Sequence, residues 1–174
     1  MSRYNAVSEK VVTLEKLEAL CAAWRMKGLK TVFTNGVFDI VHRGHITLLC
    51  KAADCGDRLI VAVNSDASVR SLGKGEDRPV NAEADRALVV AGFQPVDAVV
   101  IFDAHTPLDL VAALQPDVLV KGGDYNPEQR DAGAKDYIVG SDLQRKGGRQ
   151  TTVISLVEGY STTAIIKKGK GGKS

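Results

Sequence analysis

Five short apolar runs, each rich in β-branched residues, recur along this chain, and segments with helical spacing separate them. The runs are Thr31–Thr34, Arg58–Val63, Ala98–Phe102, Asp117–Lys121 and Thr151–Ser155. Near-continuous apolar strands are buried on both faces, and a parallel neighbour can be reached only by a long crossover, usually a helix. The alternation therefore predicts an α/β domain with a doubly wound, Rossmann-like, parallel five-stranded sheet and helices on both faces. The predicted helices are Thr13–Lys27 with Thr13 as N-cap, Gly44–Cys55, Asn81–Ala91 with Asn81 as N-cap, Thr106–Leu114 with Pro107 at its first position, Ser141–Lys146 and Ser161–Lys168. Asn64–Val80 reads as a long loop, and so does 122–140. The organisation expected is an N-terminal extension with one helix (1–29), a main domain (30–168) and a basic flexible tail (169–174).

At 174 residues the chain has the length of one domain. A formal net charge of +2 gives no basic footprint for nucleic acid or an anionic membrane. Cys21, Cys50 and Cys55 are odd in number and form no CxxC pair, so they read as buried free thiols of a reducing cytosol. No run reaches the ~18 apolar residues of a membrane span, and the first residues have no apolar signal-peptide core. These features lead to the expectation of a cytoplasmic protein.

In open parallel sheets ligands bind beyond the carboxyl ends of the strands. The first strand runs there into Asn35-Gly36-Val37-Phe38-Asp39 and then His42-Arg43-Gly44-His45 at a helix start. Gly36 lets a phosphate approach the backbone. Two imidazoles three positions apart share a helix face, beside the N–H groups that favour anions. With this composition, a chance His-x-Gly-His has odds of about one in two hundred. The alternatives are a structural histidine pair or a metal site. Lys74 and Arg78 lie in the long loop, where they neutralise phosphate charge or are merely solvated. Arg86 is a phosphate ligand or a surface ion pair. Asn64 and Asp66 contact sugar hydroxyls or form an Asx turn. Lys121, Gly122 and Asp124 end the fourth strand, and His105 reads as a loop histidine with no task.

These stretches, with Arg78-Pro-Val-Asn81, Leu119-Val-Lys-Gly-Gly-Asp-Tyr125 and Gly159-Tyr-Ser-Thr-Thr163, resemble the cytidylyltransferase-like nucleotidyltransferases. Within that superfamily they are most similar to the adenylyltransferases of bacterial heptose biosynthesis. The resemblance implies transfer of AMP from ATP to D-glycero-β-D-manno-heptose 1-phosphate, giving ADP-heptose and pyrophosphate for lipopolysaccharide core biosynthesis. It implies direct in-line attack with Mg²⁺ carried mainly by ATP and no dedicated metal motif. By analogy His42, His45 and Lys74 are catalytic. Asn35, Gly36, Val37, Phe38, Asp39, Gly44, Lys121, Gly122, Asp124, Ser161, Thr162 and Thr163 bind nucleotide and phosphate. Asn64, Asp66, Arg78 and Arg86 bind the acceptor. Leu156-Val-Glu-Gly159 lacks the Arg of the glycerol-phosphate branch. Related heptose enzymes are commonly fused to an N-terminal sugar kinase, so here a separate kinase is expected to supply the sugar 1-phosphate. Homodimers are common in the superfamily. The rival readings are a nucleotidyltransferase for another sugar or polyol phosphate, and a non-catalytic nucleotide-binding module.

Overall fold

The computed structural model describes residues 2–73, 78–155, 160, 162 and 165. In chain order it contains α1 (Arg3–Ser8), α2 (Leu14–Met26), β1 (Thr31–Gly36), α3 (Arg43–Ala53), β2 (Arg58–Asn64), α4 (Asp66–Ser71), α5 (Glu83–Ala91), β3 (Ala98–Phe102), α6 (Leu108–Leu114), β4 (Val118–Gly122), α7 (Ser141–Lys146) and β5 (Gln150–Ile154). The five strands are all parallel, in the order β3-β2-β1-β4-β5. Successive connections run outward from β1 on one side and then on the other. The switch point therefore lies between β1 and β4, where loops leaving the sheet in opposite directions open a crevice.

Side chains along each strand alternate between two cores. Leu59, Val61 and Val63 of β2 join Leu48 and Leu49 of α3 and Val90 of α5 on one face. Ile60 and Ala62 join Leu17 and Cys21 of α2 and Leu110 and Leu114 of α6 on the other. Burial on both faces is why the strands read as unbroken apolar runs. At the opposite end from the crevice, carboxylates cap the strand starts. Asp117 accepts from Thr31 N at 2.7 Å, and Asp97 accepts from Leu59 N at 2.8 Å.

Several expected boundaries move. Helix α2 starts where expected, with Thr13 Oγ1 accepting from Lys16 N at 3.3 Å. The 64–80 loop, however, begins with α4, whose N-cap Ser65 accepts from Ser68 N. Helix α5 starts at Glu83 with Ala82 as N-cap, because the Asn81 side chain is spent on Asp39 O at 2.6 Å. Pro107 is the N-cap of α6 and not its first residue. The 1–29 segment carries two helices, and it packs on the sheet. Val12 N donates to Val99 O and Val99 N donates to Lys10 O, so residues 10–12 cover the edge of β3. Cys21 is buried as expected, whereas Cys50 is exposed and Cys55 half-buried. Most of the helix expected at 161–168, and the tail 169–174, lie outside the described residues.

Candidate active site at the carboxyl ends of the strands

The loop from β1 to α3 is shaped by Phe38, which sits in left-handed backbone at φ 50° although it is not glycine. Its buried ring packs beside His45, with centroids 5.2 Å apart, and beneath Gly36. A Cβ on Gly36 would stand 3.0 Å from that ring, so the glycine is needed for packing as well as for ligand approach. The ordering of Phe38 in this conformation costs about 1–2 kcal/mol, which its burial offsets.

His42 is the N-cap of α3, and its ring stacks on His45 at 4.0 Å between centroids. The backbone N–H of His42 donates to His45 Nδ1 at 3.3 Å. An Nδ1 that accepts carries no proton, so the neutral His45 ring holds its proton on Nε2 and presents a donor there. Desolvation, and then the charge of neighbouring His42, hold His45 down at a pKa of about 4. Desolvation also lowers His42. Both rings are neutral at pH 7. Gly44 makes the stack possible, since a Cβ there would stand 3.0 Å from the His42 ring and 3.6 Å from Tyr160 Cβ. Thr162 closes on the same loop, its Oγ1 donating to Ile40 O at 3.4 Å.

Beside this histidine wall lies a cavity of about 360 Å³. Asn35, Gly36 and Val37 line it from β1, Asn64 from β2 and Lys121 from β4. Lys121 Nζ donates to Asn35 Oδ1 at 2.9 Å and lies 5.7 Å from the Tyr125 ring. Asn64 Nδ2 donates to Ser68 Oγ at 3.0 Å. Gly122 ends β4, and Asp124 is exposed just beyond it. A wall that motif reading missed comes from Leu72, His105, Thr106, Pro107, Tyr137 and Val139. His105, in a loop as expected, therefore lines the cavity. Its position three residues past β3, on the ligand side of the sheet, was the available signal. Nothing in the sequence marks Tyr137.

Four expected ligands are bonded to one another and to the backbone. Asp39 is buried, and its carboxylate pairs with Arg78 Nε while accepting from Val80 N at 2.8 Å and Asn81 N at 2.9 Å. Arg78 is thereby held against Asp39. Arg86 is 1% exposed, so it is not a surface ion pair. It donates to Val37 O at 2.6 Å, Asn81 O at 2.9 Å and Asp66 Oδ1 at 2.7 Å. Asp66 accordingly serves as its counter-ion, and Asp66 N donates to Glu83. These residues brace the 78–82 segment and α4 against the β1–α3 loop. Lys74, Ser161 and Thr163 lie outside the described residues.

Residues 33–168 match the cytidylyltransferase-like family. The chain is 48% identical over 170 residues to the bifunctional protein HldE of Wolinella succinogenes, covering 98% of this chain and 33% of that protein. It is 50% identical over 160 residues to the HldE of Koribacter versatilis, covering 92% of this chain and 31% of that one. It thus spans about a third of the length of these relatives. Among solved structures, a lipopolysaccharide core biosynthesis protein from Thermoplasma volcanium superposes with a TM-score of 0.57 at 27% identity, over 77% of this chain and all of that one. A pantoate-β-alanine ligase from Francisella tularensis shares the fold, with a TM-score of 0.59 at 13% identity over 92% of this chain and 76% of that one.

Proposed function

The chain belongs to the cytidylyltransferase-like family, and from that premise we propose that it transfers AMP from ATP to D-glycero-β-D-manno-heptose 1-phosphate. The acceptor's phosphate oxygen attacks the α-phosphorus in line. A P–O–P bond forms, the α–β bond breaks, and pyrophosphate leaves with the electron pair. The products are ADP-heptose and pyrophosphate, and no protein nucleophile is needed. Catalysis of such a transfer rests on positioning and on charge stabilisation.

One observation carries this reading: the neutral, stacked His42/His45 pair at the mouth of α3, with an oriented Nε2–H donor on His45. The helix N-terminus adds N–H donors and positive potential for the same anion. Charge growing on the bridging and leaving oxygens strengthens these bonds in the transition state, and this is what lowers a barrier. A bound triphosphate also raises the pKa of both rings. Lys121, Asn35 and Gly36 supply the neighbouring phosphate contacts. Lys74, Ser161, Thr162 and Thr163 belong to the same set, on the strength of the resemblance.

Among the described residues no group of three His, Cys, Asp or Glu could hold a metal. On the strength of the resemblance, Mg²⁺ enters as part of the co-substrate MgATP, with Asp124 at hand beyond β4. HldE is named as bifunctional; for this domain a sugar kinase has to place the 1-phosphate before the acceptor can react. No helix among the described residues is long and apolar enough to cross a membrane. A cytoplasmic location and homodimer formation belong to this proposal and rest on the resemblance.

The test is pyrophosphate release measured over a panel of ATP and CTP against heptose, hexose, glycerol and ribitol phosphates. The expected result is turnover with ATP and the heptose 1-phosphate above every other pair. Preference for CTP or for a polyol phosphate would refute the assignment.

A further inference from the structure

The strand order orders the cavity as well. Lys121 lies near the end of β4, Asn35 lies on β1, Asn64 ends β2, and His105 follows β3. Read along the sheet, the cavity has an ammonium at one end and an imidazole at the other. The end at β1 and β4 adjoins the Gly36–Val37 loop that leads to the histidine pair. A nucleophilic phosphate must lie there to reach the α-phosphorus. The opposite end, at β3, then receives whatever part of the acceptor is most remote from its phosphate. At about 360 Å³ the space lies near the bottom of the usual ~300–1,000 Å³ range for small-molecule sites, which suits a sugar phosphate better than a whole nucleoside triphosphate. Aromatic faces from Tyr125 and Tyr137, with amide, imidazole and ammonium groups between them, suit a polyhydroxylated ring.

We infer that His105 is a specificity-determining residue that accepts a hydrogen bond from the acceptor's terminal exocyclic hydroxyl and so distinguishes a seven-carbon from a six-carbon sugar 1-phosphate. This inference rests on the reaction proposed above. The protonation of the ring follows from its neighbour. Ser71 Oγ donates its proton to Ser68 O at 2.7 Å, so toward His105 Nδ1, 3.4 Å away, it acts as acceptor. The ring's proton is then on Nδ1, and Nε2 is left as an acceptor. An acceptor atom is matched by a hydroxyl and left unpaired by an analogue that lacks it. The same serine ties the ring to the end of α4, which Arg86 fixes through Asp66. The reader of the sugar is thus mounted on the frame that also holds the histidine loop.

The experiment compares wild type, His105→Ala and His105→Asn with ATP and either D-glycero-β-D-manno-heptose 1-phosphate or mannose 1-phosphate, which lacks the seventh carbon and its hydroxyl. His105 is exposed, so its replacement leaves the core intact. The expected result for His105→Ala is a rise of about five- to tenfold in KM for the heptose phosphate. KM for ATP should stay within about twofold and mannose 1-phosphate kinetics should not change, while His105→Asn should recover part of the loss. Equal KM values for both acceptors in all three proteins would overturn the inference. A rise in KM for ATP instead would assign the cavity to the nucleotide and overturn it as well. Calorimetric titration of the heptose phosphate without ATP separates the two levels. If wild type releases no pyrophosphate yet binds the heptose phosphate more tightly than His105→Ala does, the reaction assignment fails and the subsite stands. Equal or absent binding in both proteins refutes the subsite.

Discussion

His45 joins stability to chemistry in a single side chain. Its imidazole titrates near pH 6.5 in an unfolded chain and near 4 in the fold, because burial and His42 disfavour the cation. Between those values the unfolded chain binds more protons than the folded one, so stability falls as pH drops from 6.5 toward 4. His45→Asn removes this linkage. Melting temperatures taken across that range should decline less steeply in the variant than in wild type; parallel declines would show that His45 is not the titrating group. Asp39 makes a different point at the same scale. In the motif it reads as a ligand, but its carboxylate is enclosed by Arg78 and two backbone N–H groups. Asp39→Ala leaves a largely shielded guanidinium and two backbone donors without their carboxylate, and should cost about 3 kcal/mol in urea denaturation. A loss below about 1 kcal/mol would mean that the pair is solvated. Arg86 is likewise held by Val37 O, Asn81 O and Asp66. Sequence order could bring these groups to the same end of the sheet, but their bonds to one another depend on where the 78–82 segment packs.

At the scale of elements, Gly44 separates helix stability from catalysis. In a helix alanine is favoured over glycine by about 1 kcal/mol, so Gly44→Ala need not lower stability. A Cβ there stands 3.0 Å from the His42 ring, so the ring must give by a few tenths of an ångström, which disturbs its stack on His45. The expected outcome is an unchanged or slightly raised melting temperature with turnover reduced at least about tenfold. Unchanged turnover would show that the stack is dispensable. The strands and most helices could be read directly, because burial on both faces and the 3.6-residue period leave clear patterns. Helix α4 was hidden because six residues with two buried positions make no visible stripe. Asn81 has the chemistry of an N-cap, but a tertiary bond to Asp39 O takes its side chain. The histidine wall could be read because its spacing is local. Tyr137 could not, because only the tertiary fold brings its loop to the cavity, whereas His105 carried one signal, its place just past β3 on the ligand side.

At the scale of the molecule, residues 1–29 are part of the same packed body. Leu17 and Cys21 of α2 fill one core, and residues 10–12 cover the β3 edge. Deleting residues 1–12 uncovers that edge, and unpaired strand edges seek other chains. The truncated protein should melt at a lower temperature and elute partly as aggregate in size-exclusion chromatography. A monodisperse variant with wild-type stability would show that the edge needs no cover. The strand order was not readable from local pattern, yet it decides the function, since it places the β1–α3 histidines, Lys121 and the cavity at one switch point. In the proposed reaction this arrangement moves AMP from ATP to a sugar 1-phosphate, with the histidine pair stabilising the transferring phosphate. Pyrophosphate release from ATP and D-glycero-β-D-manno-heptose 1-phosphate, compared between wild type and His45→Ala, tests it most directly. Wild type should show acceptor-dependent release, and kcat should fall by about 10²–10³ in a variant that remains folded. Absence of acceptor-dependent release from wild type, or an undiminished rate in folded His45→Ala, would contradict it.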